Sequence, residues 1–432
     1  MYSRFLQPAI EEALSAFRIV YLTGARQAGK TTVAQNLVHS REMAYFSLDD
    51  QAVRGAAESD PLGFIQSLHD RNAVLDEFQY LPQLIPAIKQ VSDQLPAGYS
   101  GKFLLTGSAD VFRSARTQEA LPGHMARLEL YPLSISEITG NPRNLAGYLL
   151  AGEFRSEAPV TFRREQIAAW ILQGGYPAIQ GKSTRAKSLW FRSYIEGRLF
   201  KDFESLHAAR GDYHTKLKAL VPYLAGLCGN LLKYSNVAND LELHNELTKT
   251  YIEILELMFI IQRIPAWLKN TAKREATKMP KLHFVDTGLA CHLLKLRSAE
   301  QLLASQYYGG LFENLVYLEC AKQLGWVDEE CHLYHFRDKR KNEVDIVLER
   351  EDGNIIGIAC KASASVNPGD FKGLRAIAAA AGKRLQHGVL IYSGEHVLPF
   401  KVENRKFFAV PIGLFLTADD GGKAVAQTEP KT

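Results

Sequence analysis

Apolar positions follow two rhythms in the N-terminal third of this chain. Short, mostly apolar runs at Ile19–Leu22, Tyr45–Leu48, Ala73–Leu75 and Phe103–Leu105 each end in polar or glycine residues. Between them, apolar residues recur at helical spacing, as at Val33, Ala34 and Leu37. Apolar strands alternating with helices predict a parallel sheet, an α/β fold, and ligand binding at the strand C-termini. The first 17 residues read as an amphipathic helix laid against that core.

From residue 151 the rhythm is helical. Trp170 to Leu172 precede a break at Gly174-Gly175-Tyr176-Pro177, and Trp190, Phe191, Tyr194, Leu199 and Phe200 form an aromatic stripe read as core. Between Lys216 and Ile264, helical stripes at Leu217/Leu220/Leu224, 231–238 and 248–257 lead into an extended run at 259–264. That order predicts a winged helix-turn-helix, with His244, Asn245, Thr248 and Lys249 outward on its third helix. After Gly310 the pattern is helix, then strands at 333–337, 343–348 and 355–361, a helix at 371–381 and a strand at 385–392. The expected division is 1–150, 151–300, 301–416 and a polar, disordered tail at 417–432.

The chemistry concentrates after the first strand. Gly24-Ala25-Arg26-Gln27-Ala28-Gly29-Lys30-Thr31 fits G-x-x-x-x-G-K-[ST], and Thr32 continues into a helix. The glycines let backbone N–H groups converge on phosphate oxygens beside the helix's positive end. Lys30 is expected to reach the β- and γ-phosphates of ATP and Thr31 to ligate Mg²⁺. Ala73-Val74-Leu75-Asp76-Glu77 reads as an apolar strand carrying acids at its end. Asp76 is placed to orient the Mg²⁺ and Glu77 to polarise the attacking water. Thr106 and Ser108, ending the Phe103 strand, are alternative candidates for a γ-phosphate sensor.

Composition adds a location for charge. The net charge is +4, but residues 151–300 carry 22 Lys/Arg against 15 Asp/Glu, a surplus of 7. A basic middle suits a polyanion. The 5 cysteines lack metal-ligand spacing and read as reduced thiols of a cytoplasmic protein. No apolar run is long enough for a membrane span.

The segments GARQAGKTT, FSLDD, VLDEFQYLP, LLTGSAD and the arginine followed by LYPLSISEI resemble a family of prokaryotic AAA+ ATPases. KLHFVDTGL and Phe312-Glu313-Asn314 extend the resemblance over nearly the whole chain. It implies an ATPase working as a homo-oligomer, with an arginine acting across the subunit interface; Arg127 and then Arg116 are the candidates. The C-terminal pattern resembles PD-(D/E)xK nucleases, with Glu313, Asp345 and Lys361 on the motif positions. Ala359 stands where that motif asks for a carboxylate, so the site is expected to be degenerate. The resulting expectation is an ATPase that remodels or translocates on DNA, possibly branched DNA in repair or recombination, without nuclease activity. An ATP-regulated nuclease in genome defence and an ATP-dependent switch with a protein partner are the alternatives.

Overall fold

The computed structural model describes residues 2–110, 125–141, 144–155, 159–160, 162–200, 202–203, 213–269, 279–402 and 405–416. Arg116, the basic stretch 270–278 and the tail 417–432 lie outside the described residues.

The four predicted N-terminal strands, with a fifth that was not predicted (Met125–Glu129), form one parallel sheet. Strands β1 (Ile19–Thr23), β2 (Ala44–Ser47), β3 (Ala73–Asp76), β4 (Phe103–Gly107) and β5 (Met125–Glu129) run in the spatial order β2-β3-β4-β1-β5. β1, β3 and β4 are buried along their whole length, the reason they read as apolar runs rather than alternating ones. The helix Gln7–Ala16 packs Ile10, Ala13 and Leu14 on one face of the sheet, beside Val33, Ala34 and Leu37 of the helix Lys30–Arg41. The expected N-terminal helix is therefore part of the core.

The middle is helical. Tyr176, Trp190, Phe191 and Tyr194 pack ring against ring, with Trp190 and Tyr194 stacked at 5.2 Å. The helices Tyr213–Gly226, Tyr234–Asp240 and Asn245–Leu257 precede an antiparallel pair, β6 (Ile261–Ile264) and β7 (Lys281–Phe284). Leu231 adds a bridge to Lys281. Thr248, expected outward, is fully buried and donates its hydroxyl to the His244 carbonyl.

The C-terminal sheet is mixed, in the order β12-β13-β11-β10-β9-β8. It comprises β8 (Cys331–Arg337), β9 (Glu343–Arg350), β10 (Ile355–Lys361), β11 (Leu385–Tyr392), β12 (Leu398–Val402) and β13 (Arg405–Pro411). The helix Tyr308–Leu324 covers one face, where Phe312 and Leu315 meet Ile346, Ile358 and Ile391. The helix Lys372–Ala381 covers the other, where Leu374 and Ile377 meet Val347, Ala359 and Leu390. No helix among the described residues is long and apolar enough to cross a membrane.

Buried hydrogen bonds tie these regions together across long sequence separations. Asp286, 1% exposed and following β7, accepts from the backbone N–H groups of Gly175 (2.6 Å) and Leu289 (2.8 Å). Gly174 leaves room for this, because a Cβ there would lie 2.5 Å from Asp286 Oδ1. Glu319 accepts from the Ile135 N–H (3.1 Å), and Lys322 donates to the Leu133 carbonyl (2.9 Å). Asp286→Ala strands two buried amides at about 1–3 kcal/mol each. The variant's thermal midpoint is expected to fall by several degrees in calorimetry, well beyond that of an exposed control such as Asp328→Ala.

Candidate nucleotide site

A left-handed turn opens the phosphate loop. Gly24 has φ 141°, and a Cβ there would lie 2.2 Å from the Leu130 carbonyl, so only glycine fits this approach. Gly29 (φ 105°) precedes the helix Lys30–Arg41, whose first N–H groups face a cavity of about 970 Å³. Arg26, Gln27, Ala28, Gly29, Lys30, Thr31 and Thr32 line it; Gly24 and Ala25 lie underneath. Its other walls include Tyr2, Arg4, Asp49, Glu77, Leu133 and Pro177. The volume is in the range that holds a nucleotide-sized ligand.

Lys30 is almost wholly buried and donates to the carbonyls of Gly24 (2.8 Å) and Ala25 (2.9 Å). Burial pushes its ammonium down to about 8, partly offset by Glu77 and Asp76. Asp76, 2% exposed, accepts from three hydroxyls: Thr31 (2.9 Å), Tyr45 (2.5 Å) and Thr106. Thr31 and Asp76, the expected metal pair, are thus adjacent. They match the oxygen-donor preference of Mg²⁺, a cation that keeps most of its water and takes few protein ligands.

The two sensor candidates separate here. Thr106 bonds Asp76 and receives the Glu77 backbone N–H (3.4 Å), whereas the Ser108 hydroxyl faces Glu77 (3.4 Å). Glu77 itself sits in the left-handed region at φ 57°. Gln79 Nε2 donates to its carboxylate, and Gln79 Oε1 accepts from the Ser108 N–H (3.0 Å). Gln79 therefore fixes both the acid and the serine.

Three further residues were not singled out from the sequence. Arg4, 9% exposed, donates to the Ala28 carbonyl (2.7 Å), the Tyr131 carbonyl (2.7 Å) and Glu137 (2.9 Å), bracing the loop from the N-terminal segment. Tyr45 and Gln79 are the others. A tyrosine on a neighbouring strand and a glutamine two residues past the acid carry no motif; only their tertiary position marks them. Arg26 adds a loop contact of its own, pairing with Asp202 of the middle segment at 2.7 Å.

The expected interface arginine is engaged elsewhere. Arg127, on edge strand β5, pairs with Asp110, which is buried, and does not line the phosphate cavity. The Arg127 side chain remains 40% exposed.

The expected trio in the C-terminal domain also divides. Glu313 and Asp345 do meet, but around Lys281 Nζ, at 2.7 and 2.8 Å. Lys361 instead pairs with Asp370, which precedes the helix Lys372–Ala381 on the other face. Strand alternation is the cause. Ala359 packs toward that helix, while Cys360 packs on the Glu313 side and its N–H donates to Asp345 (2.7 Å). The A-x-K spacing thus falls on the wrong face.

One prediction comes from the buried lysine. Above pH 8 the ligand-free Lys30 loses its proton, and a bound triphosphate draws one back. Affinity for ATP should then fall by up to about tenfold per pH unit between pH 8 and 10. Titration calorimetry at pH 9 in two buffers of different ionisation enthalpy should register proton uptake on binding. Lys30→Met should lose that uptake together with affinity.

Residues 16–139 match the family model described as "AAA domain". Residues 164–300 match a domain of unknown function (DUF8612), and 308–415 another (DUF4143). Uncharacterized proteins of Mycobacterium tuberculosis and Mycobacterium bovis are each 25% identical over 94% of this chain and 83% of their own. Among solved structures, a Walker-type ATPase of Pyrococcus abyssi aligns with 14% identity and a TM-score of 0.43, over 68% of this chain and 96% of its own. AMPPCP-bound DnaA from Aquifex aeolicus aligns with 15% identity and a TM-score of 0.27, over 58% and 85%. The AAA match coincides with the parallel sheet and phosphate loop described above, so the N-terminal third of this chain is an AAA domain, joined to a C-terminal domain of unassigned function.

Proposed function

We propose that this protein hydrolyses ATP with Mg²⁺ and uses the cycle, as a homo-oligomer, to remodel or translocate on DNA. The observation that carries the hydrolysis is the convergence of Thr31, Tyr45 and Thr106 on Asp76 beside Glu77, at the mouth of the phosphate loop. In this reading the Lys30–Arg41 helix and loop amides take the phosphates. Lys30 leaves the Gly24 and Ala25 carbonyls for the β- and γ-oxygens. Thr31 and Asp76 would hold Mg²⁺, which would supply charge neutralisation at the transferred phosphoryl group. Glu77, positioned by Gln79, takes a proton from the attacking water. Thr106 keeps Asp76 oriented and Ser108 senses Glu77.

DNA as the load is supported by the basic surplus of residues 151–300 and by the order of three helices and a hairpin closed by the Leu231–Lys281 bridge, which is that of a winged helix. Exposed Lys182, Arg185 and Arg192, with Lys339, Arg340 and Lys341 in the β8–β9 turn, offer phosphate contacts without base readout. The C-terminal domain acts as a clamp, not a nuclease. A protein partner is the second reading. It is favoured by the outer face of the helix Asn245–Leu257, where Glu246 and a Lys249–Glu253 pair (4.0 Å) make a poor match to a phosphate backbone.

Glu77→Gln is expected to bind ATP normally while lowering turnover by two or more orders of magnitude, in line with loss of a general base. Lys30→Ala should lose both. Wild-type turnover in either folded variant would refute its assigned role. Gel shifts on single-stranded, duplex and four-way-junction DNA at 50 mM salt separate the two loads. Retarded complexes that weaken steeply toward 200 mM support DNA, and no retardation at low salt supports the protein partner.

A further inference from the structure

One cation of the phosphate loop has no part in the steps given above. The Arg26 side chain, 15% exposed, borders the nucleotide cavity and also a second cavity of about 210 Å³. Gln79, Tyr80, Ser108, Tyr194 and Asp202 line that second space, and Gln79 and Ser108 also face Glu77. Arg26 Nη1 donates to both carboxylate oxygens of Asp202, at 2.8 and 2.7 Å. Its contacts with the Tyr80 hydroxyl are longer, 3.4 Å from Nη1 and 3.5 Å from Nη2, and weak at that length. The Arg26 charge also bears on Lys30. Burial is the main reason that the Lys30 ammonium is pushed down to about 8, and the Arg26 guanidinium adds to it. Anionic oxygens at the loop meet both cations and relieve their repulsion.

We propose that Arg26 reads the γ-phosphate of the bound nucleotide by giving up Asp202 for it. Asp202 offers one negative charge, on a side chain 27% exposed and so partly screened by water. A terminal phosphate offers about two charges and three acceptor oxygens, which suits the planar guanidinium fork better. A diphosphate lacks that group, and with it the guanidinium keeps Asp202. The exchange answers to the third phosphate alone. The carboxylate that is let go belongs to the helical middle of the chain. Phe203, the next residue, is fully buried and meets Tyr251 of the helix Asn245–Leu257 edge to face at 5.1 Å. Just ahead of Asp202, Ile195–Leu199 form a single π-helical turn, a geometry common at functional sites. One ion pair thus links the loop's occupancy to the helical segment. The inference deepens the ATPase reading and rests on it for the identity of the ligand, but it needs neither hydrolysis nor DNA.

Titration calorimetry on the full-length chain measures affinity for ADP and for AMPPNP, a triphosphate that is not hydrolysed. Arg26→Ala is expected to lose about tenfold or more in AMPPNP affinity, as for a lost charge-assisted bond, and to keep its ADP affinity. Asp202→Asn should bind AMPPNP more tightly and ADP as before, because the guanidinium then has no charged partner to leave. The double variant should match Arg26→Ala, since Asp202 acts only through the arginine. Equal loss of both nucleotides in Arg26→Ala makes Arg26 a general brace of the loop and overturns the proposal. Unchanged or weaker AMPPNP binding by Asp202→Asn also overturns it. Where Arg26→Ala does not fold, Asp202→Asn, a change of charge without shape on a partly exposed side chain, decides alone. Absent turnover in wild type refutes the hydrolysis while these affinities still decide the exchange. A wild type that binds neither nucleotide overturns both.

Discussion

A charge removed from water must be met by a partner, and in this chain the partners come from far along the sequence. Arg4 meets Glu137, Asp286 meets Gly175, Glu319 meets Ile135, and Lys281 meets Glu313 and Asp345. Breaking one side of a buried ion pair such as Arg4–Glu137 costs about 3–5 kcal/mol, because the remaining charge is stranded. The apolar clusters under each sheet would tolerate some sliding. These polar pins do not, and they fix how the nucleotide loop, hairpin and C-terminal sheet sit on one another. Gly175 is held by Asp286 two residues before Pro177, which lines the nucleotide cavity. Asp286 in turn follows the strand that carries Lys281.

What the sequence made legible follows from the range of the interactions. The parallel sheet was readable because fully buried strands leave unbroken apolar runs. The phosphate loop and Asp76-Glu77 were readable because that chemistry needs neighbouring residues in fixed order. The C-terminal helix and strands were also placed closely, since each element carries its own period.

Contacts across elements were not readable. The spacing of Ala359 and Lys361 fitted a nuclease motif, but spacing in a strand says nothing about which face is presented. Cys360 packs with the cluster on the Glu313 side, and Ala359 with the one on the opposite face. Lys281 was invisible for a different reason: it enters the acid pair from another region of the chain. The pairing of Arg127 was not readable because its partner, Asp110, lies 17 residues away on no common motif. Thr248 looked exposed because a threonine on a helix carries no sign of burial.

The pin from Glu319 to Ile135 has a consequence for synthesis. The segment Ser134–Thr139 closes the ATPase domain, yet one of its buried N–H partners is encoded 184 residues later. Domains generally fold as units from the N-terminus while the chain is made, at about 5–20 residues per second. Here the first domain waits, partly unsatisfied, until residue 319 has cleared the ribosome. At those rates roughly ten seconds or more separate the two ends of this bond. Order of emergence, as much as final contact, is thus written into where this chain keeps its acids.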